Sequence, residues 1–564
     1  MPEIVLTTDK TLMSEYRNIP LADFFGCAPT ERVPERLFDF IAAPLPTRDG
    51  VAIYAPYGLR KLEADLLKGF PPKDVVVTDP DHLAGIVDES TRVIGISTMD
   101  PLGLGPVTMM FTYGGQYTSY TKKRFLELVG LADEVRKKKA PRAKIAVGGP
   151  GAWQLDVRRS VLDGLPIDNL VQGELDHVAV DVFRAIESGS LERNHKVKGW
   201  PSVDQIPPIV NPAMNGMVEV MRGCGRGCQF CAPNVRTARY MDVEKVLQEV
   251  RVNVAGGKPS IWAHSDDIFL YRVEDKRHFY PNTDAIVDLF SAIMGTRGVT
   301  HSNPTHGTIA PVIADEDLLP RLSPILKAGP ENWIGIQPGL ETASGDLLAK
   351  YMRNKMLPFT PSEWEKVVLE GTKAFNQNYW FPAYTLIMGL PGETEDDVWA
   401  TVRLIDTMEK WLGEKLGSRA HFVSVPLSFV PLSVLSREEF FDVGREMTEA
   451  RFALIYRSWR HTVKEAMYFS QSVKSVPPYL RPVLRFLVSV GPMIILKYIA
   501  DWGKSMGFDV DKAFNIPGRR EANLNSPCLF LLPGSPSLVW SGLAKPVALR
   551  GLTGSNPVPG AVSE

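Results

Sequence analysis

The chain has 564 residues, 44% hydrophobic and 23% charged, with a formal net charge of −2. That length exceeds one ordinary core and implies several domains, while the lack of a basic surplus argues against nucleic acid as a partner. Five cysteines, an odd and small number for this length, exclude a disulfide framework and point to a reducing, cytoplasmic setting.

In chain order, MPEIVLTTDKTLMSEYRN has no basic start followed by an apolar run, so no signal peptide is expected. Residues 1–50 read as an N-terminal extension. From Val51 to Glu187 short apolar runs alternate with helical periodicity. VAIYAP (51–56), DVVVTD (74–79), RVIGIST (92–98), KIAVGG (144–149) and NLVQGE (169–174) are expected strands. YGLRKLEADLLKGF and residues 121–139 are expected helices. Continuous apolar strands between helices imply a parallel sheet covered on both faces. Such sheets bind ligands at the carboxyl ends of their strands, which singles out loops 56–59, 97–106, 148–153 and 172–176. This first domain is bounded at 51–197, and a Pro-rich linker, KGWPSVDQIPPIVNPAMNG, fills 198–216.

A second series of strands and helices follows over 217–435. MVEVMR, SIWAHSDD, WIGIQPG, YTLIMG and AHFVSVPLS are its strands; 241–255, 284–294, 361–376 and 395–412 are its helices. Repeated units of this length predict a full or partial β/α barrel with its chemistry at the strand carboxyl ends. The α/β part therefore gives way, over 436–564, to a mostly helical region led by REMTEARFALIYRSWRHTVKEAM and closed by an irregular tail. FLVSVGPMIIL (486–496) is too short to cross a bilayer, which needs about 20 apolar residues. A buried helix and an interfacial one both fit it, and no transmembrane segment is expected.

The densest chemistry lies in RGCGRGCQFCA (222–232), where Cys224, Cys228 and Cys231 share one glycine-rich stretch. C-x3-C-x2-C differs from the paired knuckles of zinc sites. Three thiolates on one loop suit three irons of a cubane cluster and leave the fourth iron open. The stretch resembles the cluster loop of the radical S-adenosylmethionine (SAM) superfamily. The resemblance implies a [4Fe-4S] cluster on Cys224, Cys228 and Cys231, SAM on the open iron, and a 5′-deoxyadenosyl radical formed when an electron splits the sulfonium. Four further stretches resemble that superfamily in order: SIWAHSDDIF (260–269), GIQPGLETAS (335–344), YTLIMGLPGET (384–394) and VPLSFVPLS (425–433). They imply SAM contacts from Phe230, Asp266, Asp267, Gln337, Glu341 and Gly389. Asp266 or Asp267 would accept the SAM ammonium, although either can equally cap a helix, and the stretch departs from the superfamily's Gly-Gly-Glu.

APYGLRKLEADLL, GISTMDPL, AVGGPGAW and LVQGELDHVAVDVF resemble, in order, the Rossmann-like cobalamin-binding domain that precedes many radical SAM barrels. By that resemblance Tyr57, Gly58, Ser97, Thr98, Met99, Asp100, Gly148, Gly149, Pro150, Gly173 and Glu174 would touch the corrinoid. Asp-x-His-x-x-Gly is absent, since His82 stands in DPDHLAG, so cobalt is expected without a protein histidine. No Gly-x-Gly-x-x-Gly marks a dinucleotide site. The combination implies a cobalamin-dependent radical SAM methyltransferase, in which a carbon radical takes its methyl group from methylcobalamin and a second SAM restores the carrier. Its layout is similar to that of enzymes that C-methylate a glutamine of methyl-coenzyme M reductase. The expected partners are a protein or peptide substrate, with a lipid as the alternative, and an electron donor such as ferredoxin or flavodoxin. Tyr113, Tyr117, Tyr384 and Tyr456 are candidate auxiliary acids or radical quenchers. Cys27 and Cys528 read as buried apolar thiols.

Overall fold

The computed structural model describes residues 2–18, 22–232, 237–470 and 496–510. All but the last residue of FLVSVGPMIIL, Cys528 and the C-terminal tail lie outside the described residues. The first domain is built on six parallel strands: β1 (Ile4–Thr8), β2 (Val75–Val77), β3 (Val93–Ser97), β4 (Lys144–Gly148), β5 (Asn169–Gln172) and β6 (Asn194–Lys196), in the order β2-β1-β3-β4-β5-β6. Successive side chains alternate between faces. Ile4, Leu6, Val75 and Val93 pack under helices Tyr57–Leu66 and Ala179–Ser188. Val5, Ile94, Ile145 and Leu170 pack under helix Tyr120–Lys139 on the other face.

Two expectations change. Residues 1–50 are not an extension, because Ile4–Thr8 sits inside the sheet between β2 and β3. Conversely, VAIYAP contributes only Val51–Ala52, paired antiparallel with Thr47–Arg48 outside that sheet. Both runs are apolar and short, but Pro56 begins the next helix and draws residues 53–56 out of a strand path. The strand order reverses between β1 and β3, so a crevice opens at their carboxyl ends.

The second unit carries β7 (Met217–Glu219), β8 (Ser260–His264), β9 (His301–Pro304), β10 (Ile334–Ile336), β11 (Gly339–Glu341), β12 (Trp380–Met388) and β13 (Val423–Ser428). All pairings among them are parallel. β7-β8-β9 form one group and β10 and β11 with β12 and β13 another, joined by a bridge between His306 and Gln337. The result is a partial barrel. Ile261, Ala263, Ile334, Ile336, Tyr384 and Leu386 face the surrounding helices. The alternate residues Trp262, His264, Gln337 and Thr385 therefore face the lumen. HSNP of β9 was not foreseen: a histidine, an asparagine and a proline read as a turn, and only its neighbours in the barrel extend it. Helix Glu449–Ser470 packs across β13 and helix Glu395–Leu416.

Candidate functional site

The cysteine loop leaves the barrel after β7 through a two-residue antiparallel pair, Met221–Arg222 with Arg239–Tyr240. Gly223, Gly225 and Gly227 all have positive φ, between 71° and 74°. A side chain disfavours this conformation, and its repetition lets the loop curl between thiols. Cys224 and Cys228 are buried and Cys231 is half-buried. Burial, then Asp267 and Cys228, push the Cys224 thiol well above its ordinary value. A thiolate there needs cationic compensation, which cluster iron supplies.

The loop is tied to the barrel mouth by polar contacts. Asp266 accepts from the Gly223 N–H, Asn354 donates to the Arg226 carbonyl (2.9 Å), and the Gln229 N–H donates to the Tyr351 carbonyl (2.9 Å). Arg226, itself buried, donates to Asn354 O (2.8 Å), Thr308 Oγ1 (2.9 Å) and Asp267 Oδ2 (3.3 Å). Among the described residues no three His, Cys, Asp or Glu side chains gather as ligands of one metal ion. A cubane differs in its demand, because each thiolate takes its own iron and the sulfurs stand apart. The donor set, its burial and the glycine curl fit a [4Fe-4S] cluster on Cys224, Cys228 and Cys231.

Around that loop the strand ends place polar groups at the barrel mouth. His264 and His306 meet edge to face with centroids 6.1 Å apart. Burial, then the neighbouring His264, push His306 down to about 3, so it is a neutral imidazole. Gln337 is buried, and its side chain meets the His306 ring. Glu341, held at φ 64°, pairs with buried Lys355 (3.1 Å) and accepts from Thr385 Oγ1 (3.2 Å). Burial pulls Lys355 down, but Glu341 and Cys228 outweigh it and leave its value raised.

The two aspartates expected to hold SAM have other work. Asp267 is wholly buried and accepts from Thr308 N (3.0 Å), Thr308 Oγ1 (2.7 Å) and Arg226, so it braces the loop. Asp266 holds Gly223. Gly389 (φ 84°) packs against the Phe441 ring, which covers the face where an adenine was expected. Phe230 is half-buried against the barrel core. His264, His306, Lys355 and Arg226 were missed. Strand alternation marks His264 as lumenal, but the others sit on loops without periodicity.

In the first domain a narrow cleft runs from the strand ends under the helices. Register explains it. Leu6 pairs with Gly95 and Gly95 with Ala146, so the middle of the row carries almost no side chain. A Cβ on Gly95 would stand 2.7 Å from Leu6. Gly58, Ser97, Gly148, Gly149, Pro150 and Gly173 line this cleft, with Arg222 of the cysteine loop's neck at its rim. A second opening at the strand reversal is lined by Tyr57, Thr98 and Met99 and shares Gly58, Ser97 and Pro150 with the first. The buried Thr98 Oγ1 lacks a hydrogen-bond partner in this second opening. A trough floored by Gly95 and Ala146, with apolar walls and Lys61, Asp65, Asp176 and Arg222 among its lining, fits a ligand of mixed polarity such as cobalamin.

Three of the expected contact residues are held by partners within the protein. Asp100 is buried and accepts from Gly105 N (2.8 Å), Gln154 Nε2 (2.7 Å) and Thr108 Oγ1, which folds its own loop. The Tyr57 hydroxyl donates to Glu249 (2.9 Å). Glu174 is enclosed by arginines, described below. His82 lies at 2.8 Å from Asp79 with its side chain half exposed, and is not among the residues lining either opening.

Comparison with known proteins matches residues 218–405 to the model of the radical SAM superfamily. This chain carries a radical SAM domain. Its match begins within β7, contains the cysteine loop and ends in helix Glu395–Leu416. A tRNA-2-methylthio-N(6)-dimethylallyladenosine synthase of Deinococcus radiodurans is 25% identical over 329 residues, 57% of this chain and 58% of that protein. The ribosomal protein uS12 methylthiotransferase RimO of Leptospira biflexa is 26% identical over 200 residues, 34% of this chain and 39% of that one. The chain thus spans less than two thirds of these relatives. Among solved structures, the radical SAM methyltransferase TsrM of Kitasatospora setae, with cobalamin and a [4Fe-4S] cluster bound, aligns over 77% of each chain at 14% identity and a TM-score of 0.48. No described helix is long and apolar enough to cross a membrane.

Proposed function

We propose that the chain is a cobalamin-dependent radical SAM C-methyltransferase acting on a protein or peptide side chain, such as a glutamine, at a carbon with no nucleophilic character. The observation that carries this reading is the meeting of two sites: Arg222, two residues before the first cluster cysteine, also lines the glycine-floored cleft of the first domain. When bound, the cluster supplies the electron that splits SAM and the corrinoid supplies the methyl group. The chain's own residues do the rest. Cys224, Cys228 and Cys231 hold the cluster. Gln337 stands beside His306 and would contact SAM, and Glu341 with Lys355 keeps a fixed pair of charges at the strand ends. Gly95, Ala146, Gly148 and Gly173 make room for the corrinoid. The protein contributes distance, order and exclusion of water more than acid–base groups.

A peptide is preferred to RNA because net charge is −2. The wide opening between Met109, Tyr113, Arg158, Phe440 and Asp442 also has room for an extended chain. An external one-electron donor such as ferredoxin or flavodoxin would reduce the cluster. The test incubates the anaerobically reconstituted chain with deuteromethyl-SAM and a glutamine-containing peptide library. The expected result is 5′-deoxyadenosine and S-adenosylhomocysteine formed together with a deuteromethylated peptide. Sustained 5′-deoxyadenosine without S-adenosylhomocysteine would contradict methyl transfer and favour a coupling or rearrangement enzyme.

A further inference from the structure

The cysteine loop enters the fold at Arg222 and leaves it at Arg239, which face each other across its neck. Both arginines are held by one carboxylate from the other domain. Arg222 Nη1 donates to Glu174 Oε2 (2.8 Å), while Arg239 donates from Nη1 to Oε2 and from Nη2 to Oε1 (2.8 Å each). Asp176, two residues on, takes Arg222 in a second bidentate pair at 2.7 and 2.8 Å. Glu219 closes the ring by accepting from Arg222 Nε at 2.6 Å. The Glu174 side chain is fully buried and those of Arg222 and Asp176 nearly so. Two forks, Arg239 on Glu174 and Arg222 on Asp176, with Glu174 also bridging to Arg222, fix direction as well as distance.

Glu174 and Asp176 stand on the turn that follows β5. The same turn supplies Gly173, Leu175 and Asp176 to the wall of the first domain's cleft. Gly173 has φ 116°, and a Cβ there would press on Val197 at 2.7 Å, so the turn has little freedom of its own. Anything that seats in the cleft presses on a turn whose charged side chains grip both ends of the cysteine loop.

We propose that Glu174 is a positioning residue: it joins the two ends of the cluster loop to the wall of the corrinoid cleft, so that occupancy of either site stabilises the other. This rests on the cofactor reading above. By thermodynamic linkage, a cluster that orders the loop must raise affinity in the cleft, and by the same factor in reverse.

Hydroxocobalamin binding is measured by absorbance titration on the full chain, cluster-reconstituted and cluster-free. The native chain is expected to bind about tenfold more tightly with the cluster in place. Glu174→Gln keeps the shape of the side chain but loses its charge, and should bring the two affinities to within about twofold. Asp176→Asn should act in the same sense if the first variant folds poorly. Lys258→Met is the control, since it breaks a separate ion pair between the domains, with Glu15 at 2.7 Å, far from the loop in sequence. Equal affinities in the native chain, an unchanged ratio in both carboxylate variants, or an equal collapse in Lys258→Met would each overturn the proposal. No binding in either native form would overturn the cofactor reading and the proposal with it.

Discussion

The two sets of strand ends that meet around Arg222 are made of opposite materials. The first domain opens on glycine and alanine under a roof of Leu59, Leu62, Phe183 and Ile186, with Lys61, Asp65, Asp176 and Arg222 as its charged lining. The barrel mouth is crowded with buried polar groups: His264, His306, Asp267, Arg226, Glu341 and Lys355. The difference teaches what each must hold. A large ligand is accommodated by removing side chains from a row of the sheet. A small charged one is accommodated by fixing charges before it arrives, which an enzyme does where electrons and radicals must be directed. Breaking one region should therefore leave the other working, at the weaker affinity that the Glu174 link implies.

The largest effect is expected at the cluster. Cys228→Ala should abolish 5′-deoxyadenosine formation in the reconstituted chain, followed by chromatography, while hydroxocobalamin still binds. Retained SAM cleavage would refute the ligand assignment. Next comes Glu341→Gln, which leaves Lys355 buried without its counter-charge. Removing one member of a buried pair costs about 3–5 kcal/mol, and denaturant unfolding should show a loss of that order. Little loss would show that Lys355 finds water or another carboxylate.

The mirror-image change is Ala146→Leu, which fills the floor of the cleft. It should abolish hydroxocobalamin uptake while SAM cleavage persists, the reverse of Cys228→Ala. Loss of both together would mean that the cleft and the barrel are one folding unit and not two sites.

The smallest effect is electrostatic. Burial raises Asp9, at the end of β1, from its ordinary value to about 6. Its folded value lies above its unfolded one, so its contribution to stability is full below about pH 4 and is lost as pH rises through about 6. A shift of about two units amounts to about 3 kcal/mol at most. Asp9→Asn should raise the thermal midpoint at pH 8 and lose that advantage towards pH 4. An advantage that does not vary with pH would contradict a protonation origin.

Much of this arrangement was legible in the residues. The cysteine spacing announced the loop's chemistry, and short apolar runs located β2 to β5 and most barrel strands. Ile4–Thr8 escaped because an apolar run near a chain start has no preceding helix to frame it. β9 escaped because HSNP has no strand propensity and is extended by its neighbours. Gly148, Gly149 and Gly173 were found as small residues at strand ends. Gly95 and Ala146 were not, since register alone brings them side by side. Glu174 was placed in its turn, but sequence cannot show that two arginines 48 and 65 residues away converge on it.

The most direct test of the account counts both groups on one chain. Anaerobic reconstitution followed by iron analysis and a hydroxocobalamin titration should give one [4Fe-4S] cluster and one corrinoid per chain, with the corrinoid lost in Ala146→Leu. A native chain that builds the cluster, cleaves SAM and takes up no corrinoid would contradict it.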